Sequence, residues 1–212
     1  MDNITVSTQK PLKTTKMKKL GLTGSIATGK STALKYFSDL GHAIFSADDV
    51  VHEIYLKEAV PIIAEFHPPA IVNGIVDRSV LANYLIKNHK SLLELEKLIH
   101  PLIYERYLKF VKKSQNDGKK LVIADIPLLF ESSFDYGFDA IAVTFCSQKE
   151  QYRRALARKG MSEKKLQSIL KRQMGQQEKK TRADYFIDTE ISLEATKNQV
   201  VQIAKDILQN RS

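Results

Sequence analysis

Residues 20–32 read Leu20-Gly21-Leu22-Thr23-Gly24-Ser25-Ile26-Ala27-Thr28-Gly29-Lys30-Ser31-Thr32, and Gly24 to Ser31 fit the pattern G-x-x-x-x-G-K-[ST]. Three signals fall in register around this stretch. The run from Lys19 to Thr23 predicts a strand, a glycine-rich loop follows, and Ala33, Leu34, Phe37 and Leu40 then recur at helical spacing until Gly41 stops the helix. Such a loop points its backbone N–H groups inward, and the helix N-terminus adds partial positive charge, so the two together hold a phosphate. Lys30 is placed to reach the β- and γ-phosphates of a nucleoside triphosphate, and the Ser31 hydroxyl to ligate Mg2+.

Outward from the loop, short strands alternate with longer helices. Ala43-Ile44-Phe45, Leu121-Val122-Ile123-Ala124-Asp125, Ala140 to Phe145 and Tyr185-Phe186-Ile187 read as strands, while residues 148–180 and 193–208 read as helical. The alternation predicts an α/β fold, a parallel sheet with helices on both faces. Residues 60–116 offer no convincing strand. They carry helical stripes such as Val80, Leu81, Tyr84, Leu85 and Leu92, Leu93, Leu95, Leu98, with Asp77 as an N-cap. The block is far longer than the dozen or so residues of a plain crossover and reads as an inserted helical subdomain. The basic pair of helices within 151–180 reads as a second, smaller insertion. The expected organisation is a disordered leader over residues 1–16, a nucleotide core over 17–48, 119–150 and 181–212, a helical insertion over 49–118 and a lid over 151–180.

The chain has 212 residues, 43% of them hydrophobic, which suits a folded domain and argues against disorder. Its longest apolar runs are far shorter than the roughly 20 residues of a membrane span, and residues 1–19 lack the apolar core of a signal peptide. One cysteine, Cys146, cannot build a disulfide framework, so a cytoplasmic location is expected and Cys146 reads as a small buried residue. The net charge of +9 points to anionic partners, nucleic acid or phosphorylated small molecules. Aromatic residues are not interleaved with the basic ones, so no single-strand-binding platform stands out.

Further chemistry is expected at strand ends and on one basic helix. Asp125 ends a strand beside the phosphate loop, where a carboxylate can serve a metal ion, directly or through water. Asp48 follows the second strand and suits a base for an acceptor hydroxyl; equally, Asp48 or Asp49 suits a helix N-cap. Arg154 and Arg158 lie one turn apart and can close over a transferring phosphoryl group, although a solvated basic face is the alternative. Lys164, Lys165, Lys171, Arg172, Lys179 and Lys180 are expected to be mostly solvated, and His100, before Pro101 at a helix junction, to be structural.

Several stretches together resemble the dephospho-coenzyme A kinase family, over residues 17–209. They are the loop from Leu22 to Thr32, Ala47-Asp48, Val76-Asp77-Arg78, Ile99-His100-Pro101-Leu102-Ile103 and above all Asp125-Ile126-Pro127-Leu128-Leu129-Phe130-Glu131. Gln151, Arg154, Arg158, Gln173, Glu178-Lys179 and Ala183-Asp184-Tyr185-Phe186-Ile187-Asp188 complete the order. The resemblance implies a P-loop kinase that moves the ATP γ-phosphoryl to the ribose 3′-hydroxyl of dephospho-CoA, with Mg2+ as cofactor. It implies ATP contacts at Gly24, Ala27, Thr28, Gly29, Lys30, Ser31 and Thr32, metal contacts at Ser31 and Asp125, and catalytic roles for Asp48, Lys30, Arg154 and Arg158. Arg78, His100, Pro127, Leu128, Leu129, Phe130 and Glu131 would shape the acceptor site, within the 49–118 insertion and the loop after the third core strand. ATP and dephospho-CoA are the expected partners; nucleic acid, membrane and an obligate protein partner are not expected. Ser46, His52, Gly175 and Thr189 stand where the family more often has Asp, Arg, Pro and Asn. Another nucleoside or nucleotide kinase is the nearest rival, and a basic nucleic-acid-binding protein a remote one. No Asn/Thr-Lys-x-Asp segment is present for guanine.

Overall fold

Side chains along β1 (Lys18–Gly24) alternate between two layers, which sets the sheet in the middle of the fold. The computed structural model describes residues 16–131 and 134–209; the expected leader, apart from Lys16, lies outside the described residues. Among the latter, β1, β2 (Ala43–Ser46), β5 (Leu121–Asp125), β6 (Ala140–Phe145) and β7 (Tyr185–Asp188) form one parallel sheet in the order β2-β5-β1-β6-β7. The register pairs Asp125 with Leu22 on one side and with Ser46 on the other. The C-terminal ends of β1, β2 and β5 therefore lie on one edge.

One face is apolar by alternation: Leu20 and Leu22, Leu121 and Ile123, with Ala142 and Ile187 from the outer strands. It packs on Ala33 and Phe37 of α1 (Lys30–Asp39) and on Val200, Ile203, Ala204 and Ile207 of α9 (Leu193–Gln209). The other face presents Phe45 and Ala124 to α2 (Ala47–Leu56) and α5 (His89–Asn116). Here the rings of Phe45 and Tyr136 meet the Tyr107 ring edge-on, with centroids 5.4 and 5.2 Å away. The Tyr107 hydroxyl, inside this layer, donates to the Tyr136 carbonyl at 3.1 Å.

The insertion comprises α2, α3 (Ala59–Phe66), a hairpin of β3 (Ile71–Val72) and β4 (Ile75–Val76), α4 (Arg78–Lys87) and α5. The hairpin corrects the strand-free reading of this block. Its strands are two residues each and carry no usable alternation, but Asn73 and Gly74 between them have φ of 52° and 76°, as a tight hairpin turn demands. Asp77 caps α4 as expected, accepting from the Ser79 and Val80 N–H groups at 2.8 and 3.0 Å. The helix junction expected at His100-Pro101 is not there: α5 runs unbroken through Pro101. An interior proline costs about 3 kcal/mol, and burial of Leu95 and Ile99 before it and Ile103 and Tyr107 after it offsets that cost.

Residues 148–180 hold three short helices rather than a pair: α6 (Gln148–Leu156), α7 (Glu163–Leu170) and α8 (Gln176–Thr181). Gly160, with φ of 75°, breaks the chain after α6, and Ser162 caps α7 by accepting from Lys165 N–H at 3.3 Å. The cap of α2 is Ser46, not Asp48 or Asp49. Ser46 has extended backbone (φ −113°, ψ 114°), and its hydroxyl accepts from Asp49 N–H at 3.2 Å. Asp48 sits one step further on, inside the first turn, with its carboxylate released from capping. Ser46→Ala should therefore cost about 0.5–2 kcal/mol, a fall of a few degrees in thermal melting, whereas Asp48→Ala should cost little. Equal melting shifts for the two would return the cap to Asp48.

Candidate active site

The loop between β1 and α1 is held from outside by side chains. Gly29 has φ of 83°, and a Cβ there would lie 2.8 Å from the Thr189 side chain, so only glycine fits. The Thr28 hydroxyl bonds the Ser25 carbonyl at 2.8 Å and the Thr144 hydroxyl at 2.9 Å. Thr189 is a junction. Its hydroxyl lies 2.9 Å from the Thr28 carbonyl and 3.2 Å from that of Phe145, and it accepts from Arg154 Nη1 at 2.9 Å, while Arg154 Nη2 donates to its carbonyl at 2.6 Å. Both polar groups of the Ile26 backbone are also used: its N–H donates to Gln173 Oε1 at 2.9 Å, and its carbonyl accepts from Gln151 Nε2 at 2.8 Å. Gln176 Nε2 supports Gln151 Oε1 at 3.0 Å. Gln151 and Gln173 are among the residues that carry the family resemblance, but sequence reasoning gave none of these glutamines a role. They look like ordinary polar helix residues until the loop's own hydrogen-bond needs are counted.

A cavity of about 820 Å3 opens over this loop, lined by Gly24 through Thr32, Asp48, Pro127, Arg154, Arg158 and Thr189. A second, of about 450 Å3, lies beside it, lined by Val51, Leu92, Leu93, Glu96, His100, Leu128, Glu131, Lys171 and Arg172, among others. Asp48 and Pro127 line both. The structure thus gathers the expected loop residues with Asp48, Arg154 and Arg158 around the larger cavity, and His100, Pro127, Leu128 and Glu131 around the smaller. Leu129 is instead buried in the core beneath, and Phe130 and Arg78 line neither cavity. Arg78 lies 3.5 Å from His52 Nδ1, with its guanidinium 6.0 Å from the Tyr55 ring.

Charge is arranged in pairs under and beside the larger cavity. Lys30 Nζ donates to Asp125 Oδ1, and both side chains are nearly buried. Burial pushes the Asp125 carboxyl above its ordinary pKa; Lys30 opposes this, and Asp48 and Asp49 add to it. Lys179, expected to be solvated, is fully buried and pairs with Glu131 at 3.1 Å. Burial lowers its pKa, Glu131 resists, and the nearby Lys30 adds to the lowering. The helical period places Lys179 inward on α8, which composition alone cannot reveal. Lys180 is also engaged, its ammonium 3.2 Å from the centre of the Phe145 ring. The two arginines over the larger cavity differ. Arg154 is fixed by Glu150 at 2.6 Å and by Thr189, while the Arg158 side chain makes no hydrogen bond or ion pair among the described residues. Arg153, then Arg154, hold the Glu150 carboxyl down at about 2.

The oxygen donors suit Mg2+, which takes one or two carboxylates plus substrate phosphates rather than an all-protein cage. Ser31 offers a hydroxyl at the cavity and Asp125 a carboxylate beneath Lys30, and no group of three or more His, Cys, Asp or Glu occurs among the described residues. The donors present fit that ion.

Comparison with known proteins gives a consistent picture. A family profile described as dephospho-CoA kinase matches residues 19–195. A dephospho-CoA kinase of Bartonella henselae is 42% identical over 195 residues, covering 92% of this chain and 100% of that protein. A crystal structure from Thermus thermophilus superposes with a TM-score of 0.78 at 25% identity, covering 90% of this chain and 97% of the other. The structure of a Campylobacter jejuni dephospho-CoA kinase, 24% identical with the same coverage, gives 0.63 and supports the fold.

The unequal engagement of the two arginines leads to unequal mutants. Arg154→Ala should lower the melting temperature by several degrees and kcat by about tenfold or more, because it breaks charge-assisted bonds worth about 1.5–3 kcal/mol. Arg158→Ala should lower kcat by a similar factor without a melting shift. Unchanged kcat in Arg158→Ala would make that residue part of a solvated face.

Proposed function

The chain belongs to the dephospho-CoA kinase family, and from that premise we propose that it moves the γ-phosphoryl group of ATP to the ribose 3′-hydroxyl of dephospho-CoA, releasing coenzyme A and ADP. The observation that carries the reading is the position of Asp48 on the wall common to both cavities. ATP occupies the larger, with its phosphates on the N–H groups of the loop and at the N-terminus of α1. The acceptor occupies the smaller, its ribose at Asp48 and Pro127 and its remaining length along Val51, Leu92, Leu93 and Leu128.

Asp48 orients the 3′-hydroxyl and accepts its proton as the oxygen bonds the γ-phosphorus. The bond from that phosphorus to the bridging oxygen breaks, and the electron pair leaves on ADP. Lys30, Arg154 and Arg158 meet negative charge on the phosphates and on the group in transfer, within a site walled by protein. Ser31 and Asp125 would hold Mg2+, directly or through water, and that ion supplies neutralisation of phosphate charge. His100 and Glu131 flank the acceptor, and Leu129 acts from beneath by anchoring its loop in the core. Arg78 and Phe130 line neither cavity, so this reading gives them no direct contact with the acceptor. A single buried cysteine suits a reducing cytoplasm, which we take as the place of action.

A coupled assay of ADP release with dephospho-CoA, pantetheine phosphate, AMP and nucleosides tests the reading. Dephospho-CoA should give the highest kcat/KM, and a preference for one of the others would overturn it. Asp48→Asn should lower kcat by about 10²–10⁴-fold with ATP affinity kept, while Asp49→Asn should change little. Sensitivity at Asp49 with tolerance at Asp48 would move the base by one residue.

A further inference from the structure

We propose that Lys171 and Arg172 form an anion clamp for the 5′-diphosphate of the acceptor, an inference that rests on the acceptor reading above. These residues belong to the basic run expected to be solvated, and they end α7 and start the turn into α8. Both line the smaller cavity. The other titratable groups on that wall are Asp48, Glu96, His100, Glu131 and Tyr136. Lys171 and Arg172 are therefore its permanent cations.

Lys164 and Lys165 are equally exposed and unpaired, but they line neither cavity, whereas Lys171 and Arg172 face the smaller one. Two observations fit the pair to a ligand there, and the first is that neither cation is spent on a protein carboxylate. Arg153, Arg154, Lys179 and Arg182 in this part of the chain are ion-paired, and Lys180 covers an aromatic ring. Lys171 and Arg172 have no carboxylate partner among the described residues. Glu131, a carboxylate on the same wall, is already taken by Lys179 at 3.1 Å and by Met174 N–H at 2.7 Å. The second is that their backbone is fixed. Gln173, the next residue, accepts from Ile26 N–H in the phosphate loop, and Met174, after it, donates to Glu131. Directly after the two cations the chain is thus tied both to the nucleotide loop, through Gln173, and to the wall of the smaller cavity, through Met174.

The chemistry of the acceptor supplies the need. With the ribose 3′-hydroxyl at Asp48, the 5′ side of the same sugar extends into the smaller cavity and carries two phosphates there. Their charge requires cations, and the apolar wall of Val51, Leu92, Leu93 and Leu128 provides none. A forked guanidinium beside an ammonium suits two adjacent phosphate groups. The clamp would explain how the site favours a nucleoside that bears a diphosphate over a bare nucleoside.

The test compares kcat/KM for dephospho-CoA with that for adenosine, using the full chain and saturating Mg-ATP. Lys171→Ala and Arg172→Ala should each lower the ratio of the two values by about tenfold, as loss of a charge-assisted contact does, and the double variant by more. Arg172→Lys should recover part of the ratio. Lys164→Ala, a lid lysine outside both cavity linings, should leave it unchanged. In the unaltered protein KM for dephospho-CoA should rise with ionic strength, and this slope should flatten in the double variant. Equal losses on both acceptors would mean a general defect in the lid, and no loss would mean solvated cations; either result overturns the clamp. If the unaltered protein turns over dephospho-CoA but the ratio does not move, the clamp alone falls. If it does not turn over dephospho-CoA at all, the acceptor reading falls with it.

Discussion

A parallel sheet ends all its strands on one edge, and everything chemical in this protein depends on that constraint. The pairing of Asp125 with both Leu22 and Ser46 fixes three chain exits side by side. The exit of β1 becomes the phosphate loop, that of β2 leads through the Ser46 cap to Asp48, and that of β5 runs from Asp125 into Pro127 to Glu131. A shift of one residue in this register would turn each strand's core face outward, because side chains alternate with period two. The packing of Leu20, Leu22, Leu121 and Ile123 on α1 and α9 therefore holds the site in place as firmly as it holds the fold.

The helices α6 to α8 are tied into this edge rather than hung from it. Gln151 and Gln173 take both backbone polar groups of one loop residue, Ile26, Arg154 reaches Thr189, and Thr189 touches the loop at Thr28. Lys179 carries the tie across to Glu131 on the wall of the smaller cavity. A buried ion pair of this kind is weak evidence for stability, since desolvation offsets much of the attraction. What it does secure is geometry, because removal of either partner leaves a charge buried without an answer.

Much of the fold was legible in the sequence for a physical reason. The phosphate loop and the core strands have local signatures: a fixed glycine spacing, or an apolar run between turn residues. The sheet's strands, the cap at Asp77 and the start of α1 after the glycine loop followed from such signals. The hairpin at Ile71–Val76 was missed because two-residue strands have no period, although Asn73-Gly74 advertised the turn. The continuity of α5 through Pro101 was missed because a local breaker was outweighed by burial on both sides of it. For the site, residue type, strand-end position and helical spacing pointed to Lys30, Ser31, Asp48, Arg154 and Arg158, which line one cavity, and to Asp125 beneath Lys30. The contacts of Thr189 and Gln173 and the burial of Lys179 lay beyond reach. Each draws its meaning from a partner more than 40 residues away in the chain, and no local pattern encodes such contacts.

The wall shared by the two cavities has a kinetic meaning. On the proposed reading, donor and acceptor meet directly at Asp48 and Pro127, the two residues common to both linings. With both substrates against Asp48 at once and that carboxylate engaged as the base, no residue needs to carry the phosphate from one side to the other. Such an arrangement belongs to a ternary complex, in which both substrates are aboard before either product leaves, and not to a ping-pong exchange through a phosphorylated enzyme.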